Sequence, residues 1–327
     1  MGKRFGWMVV GLMLSFMLVF TASAQAKVIR LKAITAWPVA YPSVDKFKEW
    51  VAKVNEKGKG KIEINIVGGP EATPMPEQIG ALKRGVFDVL LTAAGYYMGT
   101  IPEAEAFGLS RLSPTEERKS GFSDLMVEVH KKHGLMYVGR GMGLVPLGVL
   151  CTNIKIDRPQ QLKGQKIRTV IIYDAFMREL GAVPVTIPVP EIYTSLERGV
   201  VDGFVQPLAG GFTRLGFHEV VKYIVNHYFY QIPTVVLANE KSWSKLPDDS
   251  RKLLMDLIKE IEETTVAYYR DIHDKELKKA QELGVKLIEF SPEDAKWFVE
   301  TAYRVGWENL SKKAPEYAPK LRQMSTK

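Results

Sequence analysis

The sequence predicts two similar α/β lobes with a ligand-binding cleft between them. A segment of the chain occurs twice, and strand and helix patterns alternate around each copy. Such alternation is typical of parallel sheets covered by helices. A chain of 327 residues is also long enough for two domains rather than one. Clefts between two lobes commonly bind ligands, so the fold class already points toward a binding function.

The repeated segment is PEQIGALKRGVFD at residues 76–88 and PEIYTSLERGVVD at residues 190–202. In each copy Pro-Glu opens a short helix, where proline loses no hydrogen bond. Gly85 and Gly199 are expected to end the two helices, because glycine tolerates the left-handed conformation of a C-terminal cap. A strand is predicted to follow each helix.

The first lobe is predicted to have a β-α-β-α-β order. Its strands cover residues 28–35, 61–67 and 87–91, with helices at residues 44–54 and in the first repeat copy. The second lobe repeats this order, with strands at 165–170, 183–187 and 200–205 and helices at 174–180 and in the second copy.

Two extended stretches, residues 135–152 and 230–239, are predicted to cross between the lobes. Each lobe is then discontinuous in sequence. We expect lobe one to comprise residues 27–149 and about 238–280, and lobe two residues 150–237 and about 281–327. The helical pattern over residues 248–283 corresponds to roughly 54 Å at 1.5 Å per residue, which is longer than one small lobe, so the helix either bends or spans both lobes. Ser291-Pro292-Glu293 predicts the start of a final helix.

Residues 1–26 have the pattern of a secretory signal peptide. Lys3 and Arg4 precede an apolar stretch that ends at small residues, which is where signal cleavage occurs. The single cysteine, Cys151, allows no intrachain disulfide and provides no lipid-bearing cysteine after the signal. The mature protein is therefore expected to be soluble in the periplasm without a lipid anchor. Cys151 is interpreted as a small core residue rather than a nucleophile.

The charge balance argues against nucleic acid as a partner. The whole chain has 45 basic and 37 acidic residues, for a formal charge of +8. These positive charges are spread along the chain and are not interleaved with aromatic residues, as a nucleic-acid surface requires.

The ligand is expected at the carboxyl ends of the strands, as in other open α/β sheets. Arg168 lies at such an end and can hold a carboxylate through two parallel hydrogen bonds. Gln206 lies at another and can orient the rest of the ligand. The repeat aligns Thr92 with Gln206 across the cleft. The remaining predicted ligand-binding residues are Trp37, Glu71, Tyr96, Tyr97, Thr169, Tyr173 and Pro207.

Metal and cofactor sites are not predicted. His130 and His133 are three residues apart, but no third ligand accompanies them. An enzyme acting on a small organic acid remains an alternative to a receptor, although Glu71 is the sole acid that could serve as a catalytic group in the cleft.

Three ordered segments resemble the solute-binding proteins of TRAP transporters, the DctP-like receptors for organic acids. They are LKGQKIR at residues 162–168, LGAVPV at 180–185 and EIYTSLERGVVDG at 191–203. Trp243-x-x-Leu246-Pro247 before the long helix also matches. The resemblance covers essentially the whole mature chain and implies a two-lobed periplasmic binding protein fold, with a long helix spanning both lobes.

The resemblance also implies a function and a ligand contact. Family members deliver organic acids to a small and a large membrane subunit of a TRAP transporter, and Arg168 matches the arginine that pairs with the ligand carboxylate. We expect such a receptor, acting as a monomer; an ABC-type receptor is the other binding-protein alternative. Ile154 stands where sialic-acid-binding members have a second arginine, which argues against that ligand. Phe204-Val205-Gln206 departs from the tryptophan-containing motif of members that bind through a metal.

Overall fold

The structure, a computed structural model, describes residues 28–143 and 147–326. The predicted signal peptide lies outside these residues. None of the helices in the described ranges is long and apolar enough to cross a membrane.

The described strands form two sheets. In chain order the strands are β1 (Ile29–Thr35), β2 (Ile62–Gly68), β3 (Val89–Ala93), β4 (Leu135–Met142), β5 (Leu150–Thr152), β6 (Lys166–Thr169), β7 (Val183–Thr186), β8 (Gly203–Val205), β9 (Tyr223–Val225), β10 (Thr234–Asn239) and β11 (Lys286–Ile288). Sheet one has the order β2-β1-β3-β10-β4, and sheet two the order β11-β9-β5-β8-β6-β7. The predicted α/β class with two similar halves is confirmed.

Helices cover the sheets. In chain order they are α1 (Asp45–Lys57), α2 (Gln78–Arg84), α3 (Ala106–Leu109), α4 (Pro114–Lys119), α5 (Phe122–Lys132), α6 (Ile171–Glu179), α7 (Ile192–Glu197), α8 (Phe217–Val220), α9 (Glu240–Ser244), α10 (Asp248–Glu282), α11 (Pro292–Lys313) and α12 (Ala318–Ser325). Helix α6 begins three residues earlier than predicted, which places Tyr173 in its first turn.

The repeated segments fold alike. Each forms a short 3-10 turn, a helix (α2 or α7) and a strand (β3 or β8). Gly85 and Gly199 have φ angles of 76° and 66°, in the left-handed region predicted for them. The two copies therefore place β3 and β8 at corresponding positions beside β1 and β6.

The chain crosses between the sheets at the two predicted stretches. Strand β4 belongs to sheet one and β5 to sheet two, while β9 belongs to sheet two and β10 to sheet one. Gly148 and Phe229 form an antiparallel bridge between the two crossing segments. The crossing is confirmed, and the residue boundaries proposed for the lobes stay a prediction.

The long helix α10 has 35 residues, as the apolar pattern predicted. Leu254 and Ile258 in its first half pack into the core around sheet one. Ala280 near its end belongs to the core around sheet two. The helix therefore spans both lobes.

Candidate functional site

A cavity lies between the two sheets, beside the crossing segments. Its lining residues come from lobe one (Trp37, Tyr41, Ser43, Ala93, Gly95, Tyr96), from lobe two (Arg168, Val170, Ile172, Tyr173, Val189, Val205, Gln206, Pro207, Gly210) and from the crossing segments (Met142, Ile232, Pro233, Thr234). The space open to the centres of water molecules is ≈ 70 Å³. One water needs about 10–15 Å³ on this measure, so the cavity has room for roughly five to seven waters.

Arg168 contributes a buried positive charge to this cavity. The residue is 2% exposed. Its Nε donates to the Ile187 carbonyl at 2.7 Å, and its Nη1 donates to the Val205 carbonyl at 3.3 Å. Among the described residues, no carboxylate oxygen lies within 4.0 Å of its guanidinium. Burial lowers the pKa of Arg168 below its usual value, but an arginine still keeps its proton in proteins.

The sheet determines where this guanidinium lies. Strand β6, which carries Arg168, pairs in parallel with β7 on one side and β8 on the other. Ile187 follows β7 and Val205 ends β8, so the guanidinium spans the carboxyl ends of both neighbours. This edge is where parallel sheets bind ligands.

Gln206 is a second polar group on the same edge. Its backbone N–H donates to the Val149 carbonyl at 3.0 Å, which fixes the residue beside β5. The residue is 7% exposed, and its side-chain Oε1 has no hydrogen-bond partner among the described residues. A Cβ at Gly210 would lie 3.3 Å from Gln206 Nε2, so glycine leaves the amide its space.

Three of the predicted aromatic residues line the cavity. The rings of Trp37 and Tyr96 are tilted by 51° at a centroid distance of 5.9 Å. Tyr173 stacks on Tyr230 at 6.0 Å. Burial raises the pKa of Tyr96 and of Tyr173, although the positive charge of Arg168 opposes the shift in both. Both phenols are therefore neutral and can donate hydrogen bonds within the cavity that Arg168 also lines.

Two predicted ligand-binding residues of lobe one lie outside the cavity lining. Thr92 does not line the cavity, whereas the next residue, Ala93, does. Adjacent strand residues point to opposite faces of a sheet, so an alignment that is off by one residue selects the wrong face. Tyr97 lies in the core, where its hydroxyl and His130 Nε2 are 2.9 Å apart.

Glu71 and Thr169 also lie outside the cavity lining. Glu71 is exposed, and its Oε1 accepts a hydrogen bond from the Gly69 N–H at 2.6 Å. Its side chain therefore folds back on its own loop. Thr169 donates its hydroxyl hydrogen to Asp174 in the first turn of α6, and the following residue, Val170, reaches the cavity instead.

The histidines do not form a metal site. His130 Nδ1 is 2.7 Å from the Met126 carbonyl, and burial lowers the pKa of His130 to about 4. Residues 28–143 and 147–326 contain no cluster of three histidine, cysteine, aspartate or glutamate residues that could hold a metal ion. Phe204 belongs to the segment that departs from the motif of members that bind through a metal. It packs in the lobe-two core against Phe217, with ring centroids 5.0 Å apart.

Sequence reasoning missed the floor of the cavity. Met142 ends β4 and Ile232 precedes β10, both in the stretches predicted to cross between lobes. The sequence pattern predicts only that these stretches connect the lobes. A cleft between two lobes is bounded at its hinge by the chain that crosses between them. The pattern that predicted the crossing stretches could therefore also have identified Met142 and Ile232 as lining residues.

The two lobes, joined by crossing strands around a cavity, have the architecture of a two-lobed binding protein. The model of the bacterial extracellular solute-binding proteins of family 7 (DctP) matches residues 34–313, and the chain belongs to this family. The predicted membership among TRAP-type receptors is confirmed, and the ABC-type alternative is not supported.

Individual relatives have low sequence identity to this chain but match most of its length. A monocarboxylate 2-oxoacid-binding periplasmic protein of a Nostoc species is 23% identical over 90% of this chain and 83% of its own length. A TRAP periplasmic solute-binding protein of Desulfovibrio salexigens, solved with orotic acid, has a TM-score of 0.80 at 21% identity. That comparison covers 90% of this chain and 97% of the other. A Bordetella pertussis receptor solved with pyroglutamic acid has a TM-score of 0.79 at 19% identity, over 90% and 99% of the two chains.

Proposed function

We propose that this protein captures a small organic acid in the cleft between its lobes and delivers it to a TRAP transporter. The observation that carries the proposal is Arg168, a buried cation on the cavity wall without a carboxylate partner among the described residues. A buried charge is costly unless it is paired. A ligand carboxylate supplies the missing partner through a charge-assisted, two-pronged hydrogen bond.

The relatives support an acid as the ligand. Their names and structures include a C4-dicarboxylate-binding protein of Rhodobacter capsulatus and receptors with bound orotic acid, D-glucuronate and succinate. The proposed recipients are the small and large membrane subunits of the transporter. The proposed setting is the periplasm, reached through the signal peptide at residues 1–26, with the receptor acting as a monomer.

The composition of the cavity favours a receptor over an enzyme. The described lining residues include no aspartate, glutamate, histidine, lysine or cysteine. General acid–base catalysis draws mostly on these residue types. Glu71, the acid considered for catalysis from the sequence, points elsewhere.

The test is calorimetric titration of the purified protein with acids found by a thermal-shift screen. Arg168→Ala should weaken binding by roughly thirty-fold to several thousand-fold, because an unpaired buried carboxylate costs about 2–5 kcal/mol. Arg168→Lys should recover only part of the affinity, because an ammonium cannot form the two-pronged contact. Arg178→Ala, at an exposed arginine on α6, is the matched control and should bind normally.

Two results would contradict the proposal. One is unchanged affinity in a folded Arg168→Ala protein. The other is conversion of the bound acid to a product, followed by NMR, which would identify an enzyme. A separate measurement tests delivery to the transporter. Membrane vesicles that contain the two membrane subunits should take up the acid only when the receptor is added.

A further inference from the structure

The charges around the cavity limit how many carboxylates it can accept. Arg168 is the one lysine, arginine or histidine among the described lining residues. Tyr96 and Tyr173 line the same cavity and supply neutral hydroxyl groups rather than a second positive charge. A second carboxylate on the ligand would be desolvated without a cation, which is strongly unfavourable.

The rest of the cavity wall is mainly apolar and comes from both lobes and the crossing segments. It includes Met142, Val170, Ile172, Val189, Val205 and Ile232. Such a wall stabilises hydrocarbon and offers no compensation for buried charge. The part of the ligand beyond its carboxylate should therefore be apolar, and the volume of ≈ 70 Å³ requires it to be compact.

Gln206 adds one neutral polar contact. Its Oε1 is buried without a partner, and a buried polar group without a hydrogen bond destabilises the site. Arg168 Nη1 donates to the carbonyl of Val205, the residue directly before Gln206. Gln206 thus directly follows a residue that the guanidinium contacts, and both side chains line the same cavity. A ligand group that meets the amide should therefore lie near the carboxylate.

We propose that the cleft selects compact monocarboxylates that have an apolar body and one neutral hydroxyl-type donor near the carboxylate, and that it rejects dicarboxylates. This inference rests on the proposed function, since it assumes that the ligand carboxylate pairs with Arg168.

Four acids test it as a matched set: 2-hydroxy-4-methylpentanoate, 4-methylpentanoate, 2-hydroxybutanedioate (malate) and butanedioate (succinate). The first acid is paired with malate and the second with succinate. In each pair the two acids differ in one group, which is isopropyl in the branched acid and a carboxylate of similar shape in the dicarboxylate. In calorimetric titrations the hydroxylated branched acid should bind at least 30-fold more tightly than malate. It should also bind about tenfold more tightly than 4-methylpentanoate.

Gln206→Leu should remove most of that tenfold preference for the hydroxyl group, measured as the ratio of the dissociation constants of the two acids. Gln160→Leu, at an exposed glutamine of the same lobe, is the control and should leave the affinity for both acids unchanged. A preference for the hydroxylated acid that persists in Gln206→Leu would overturn the role of Gln206.

The outcomes separate this inference from the proposed function. If malate or succinate binds more tightly than its branched counterpart, and Arg168→Ala abolishes that binding, the ligand class is wrong and the receptor function stands. The same holds if none of the four binds at 10 mM while another acid binds through Arg168. If Arg168→Ala leaves all acid binding unchanged, the proposed function itself fails.

Discussion

Arg214 of lobe two donates a hydrogen bond from Nη1 to the backbone oxygen of Ala40 in lobe one, at 2.8 Å. Nearby, a Cβ at Gly211 would lie 3.7 Å from Pro42 Cδ, so the two lobes are in contact here as well. Tyr41, between these lobe-one residues, lines the cavity. The Arg214–Ala40 contact thus joins the lobes beside the cavity, and we expect it to hold the lobes together around a bound ligand.

Arg214→Ala should weaken ligand binding without removing any group from the cavity wall. One exposed hydrogen bond contributes about 0.5–1.5 kcal/mol, so the dissociation constant should rise roughly two- to tenfold. Stopped-flow titration with 2-hydroxy-4-methylpentanoate should show the change mainly in the dissociation rate. Arg198→Ala, at another exposed arginine of lobe two, should behave like the wild type. Equal dissociation rates in both variants would show that the contact does not stabilise closure.

Gln231→Leu should destabilise the fold strongly. Gln231 Oε1 accepts a hydrogen bond from Arg140 Nη2 at 2.7 Å, and its Nε2 donates to the carbonyls of Ser110 and Leu112. All these groups are buried, and each one left unsatisfied costs about 1–3 kcal/mol. Urea denaturation should therefore show a loss of about 2–5 kcal/mol in the free energy of unfolding. Gln160→Leu should lower the free energy of unfolding by less than about 1 kcal/mol. A similar loss in both variants would show that the buried hydrogen bonds of Gln231 do not stabilise the fold.

Glu105 should make the protein less stable as the pH rises. Burial raises the pKa of Glu105 to about 7, although Asn309 donates to both of its oxygens at 2.8 Å and Lys313 is 3.9 Å away. Because the folded protein binds this proton more tightly than the unfolded chain, the free energy of unfolding falls as the pH rises from about 4.5 through 7. The full effect is on the order of 3 kcal/mol.

Glu105→Gln should therefore reduce the difference in unfolding free energy between pH 5 and pH 8, measured by urea denaturation. Burial also raises the pKa of Glu117 to about 7, so part of the wild-type slope should remain. The exposed Glu300→Gln is the control and should keep the wild-type slope. A Glu105→Gln slope equal to that of the wild type would show that Glu105 does not titrate in this range.

Cys151 should resist thiol reagents in the native state. The side chain is fully buried in the core of lobe two, and burial raises the pKa of its thiol above the usual value. Labelling with Ellman's reagent should be negligible in buffer and complete in concentrated guanidinium chloride, because the thiolate is the reactive form. Ser244→Cys, at an exposed position, should label at once at the new site. Rapid native labelling of the wild type would place Cys151 at the surface.

Much of the architecture follows from local pattern. The repeat predicted two lobes because Pro-Glu, a terminal glycine and a strand specify the same unit wherever they occur. Asp88 and Asp202 show how closely the copies agree: Asp88 accepts a hydrogen bond from the Lys32 N–H at 2.9 Å, and Asp202 from the Lys166 N–H at 2.8 Å. The length of α10 and the place of Arg168 at a strand end were likewise visible in the order of residues alone.

The tertiary structure alone decided which side chains line the cavity. Ala93 faces it and Thr92 does not, because the face of a residue depends on register with neighbouring strands. Tyr97 joins His130 in the core rather than the cavity. Met142 and Ile232, 90 residues apart in the chain, meet at the cavity floor. Local sequence specifies helices, strands and their ends, whereas contacts between distant segments arise only when the lobes pack.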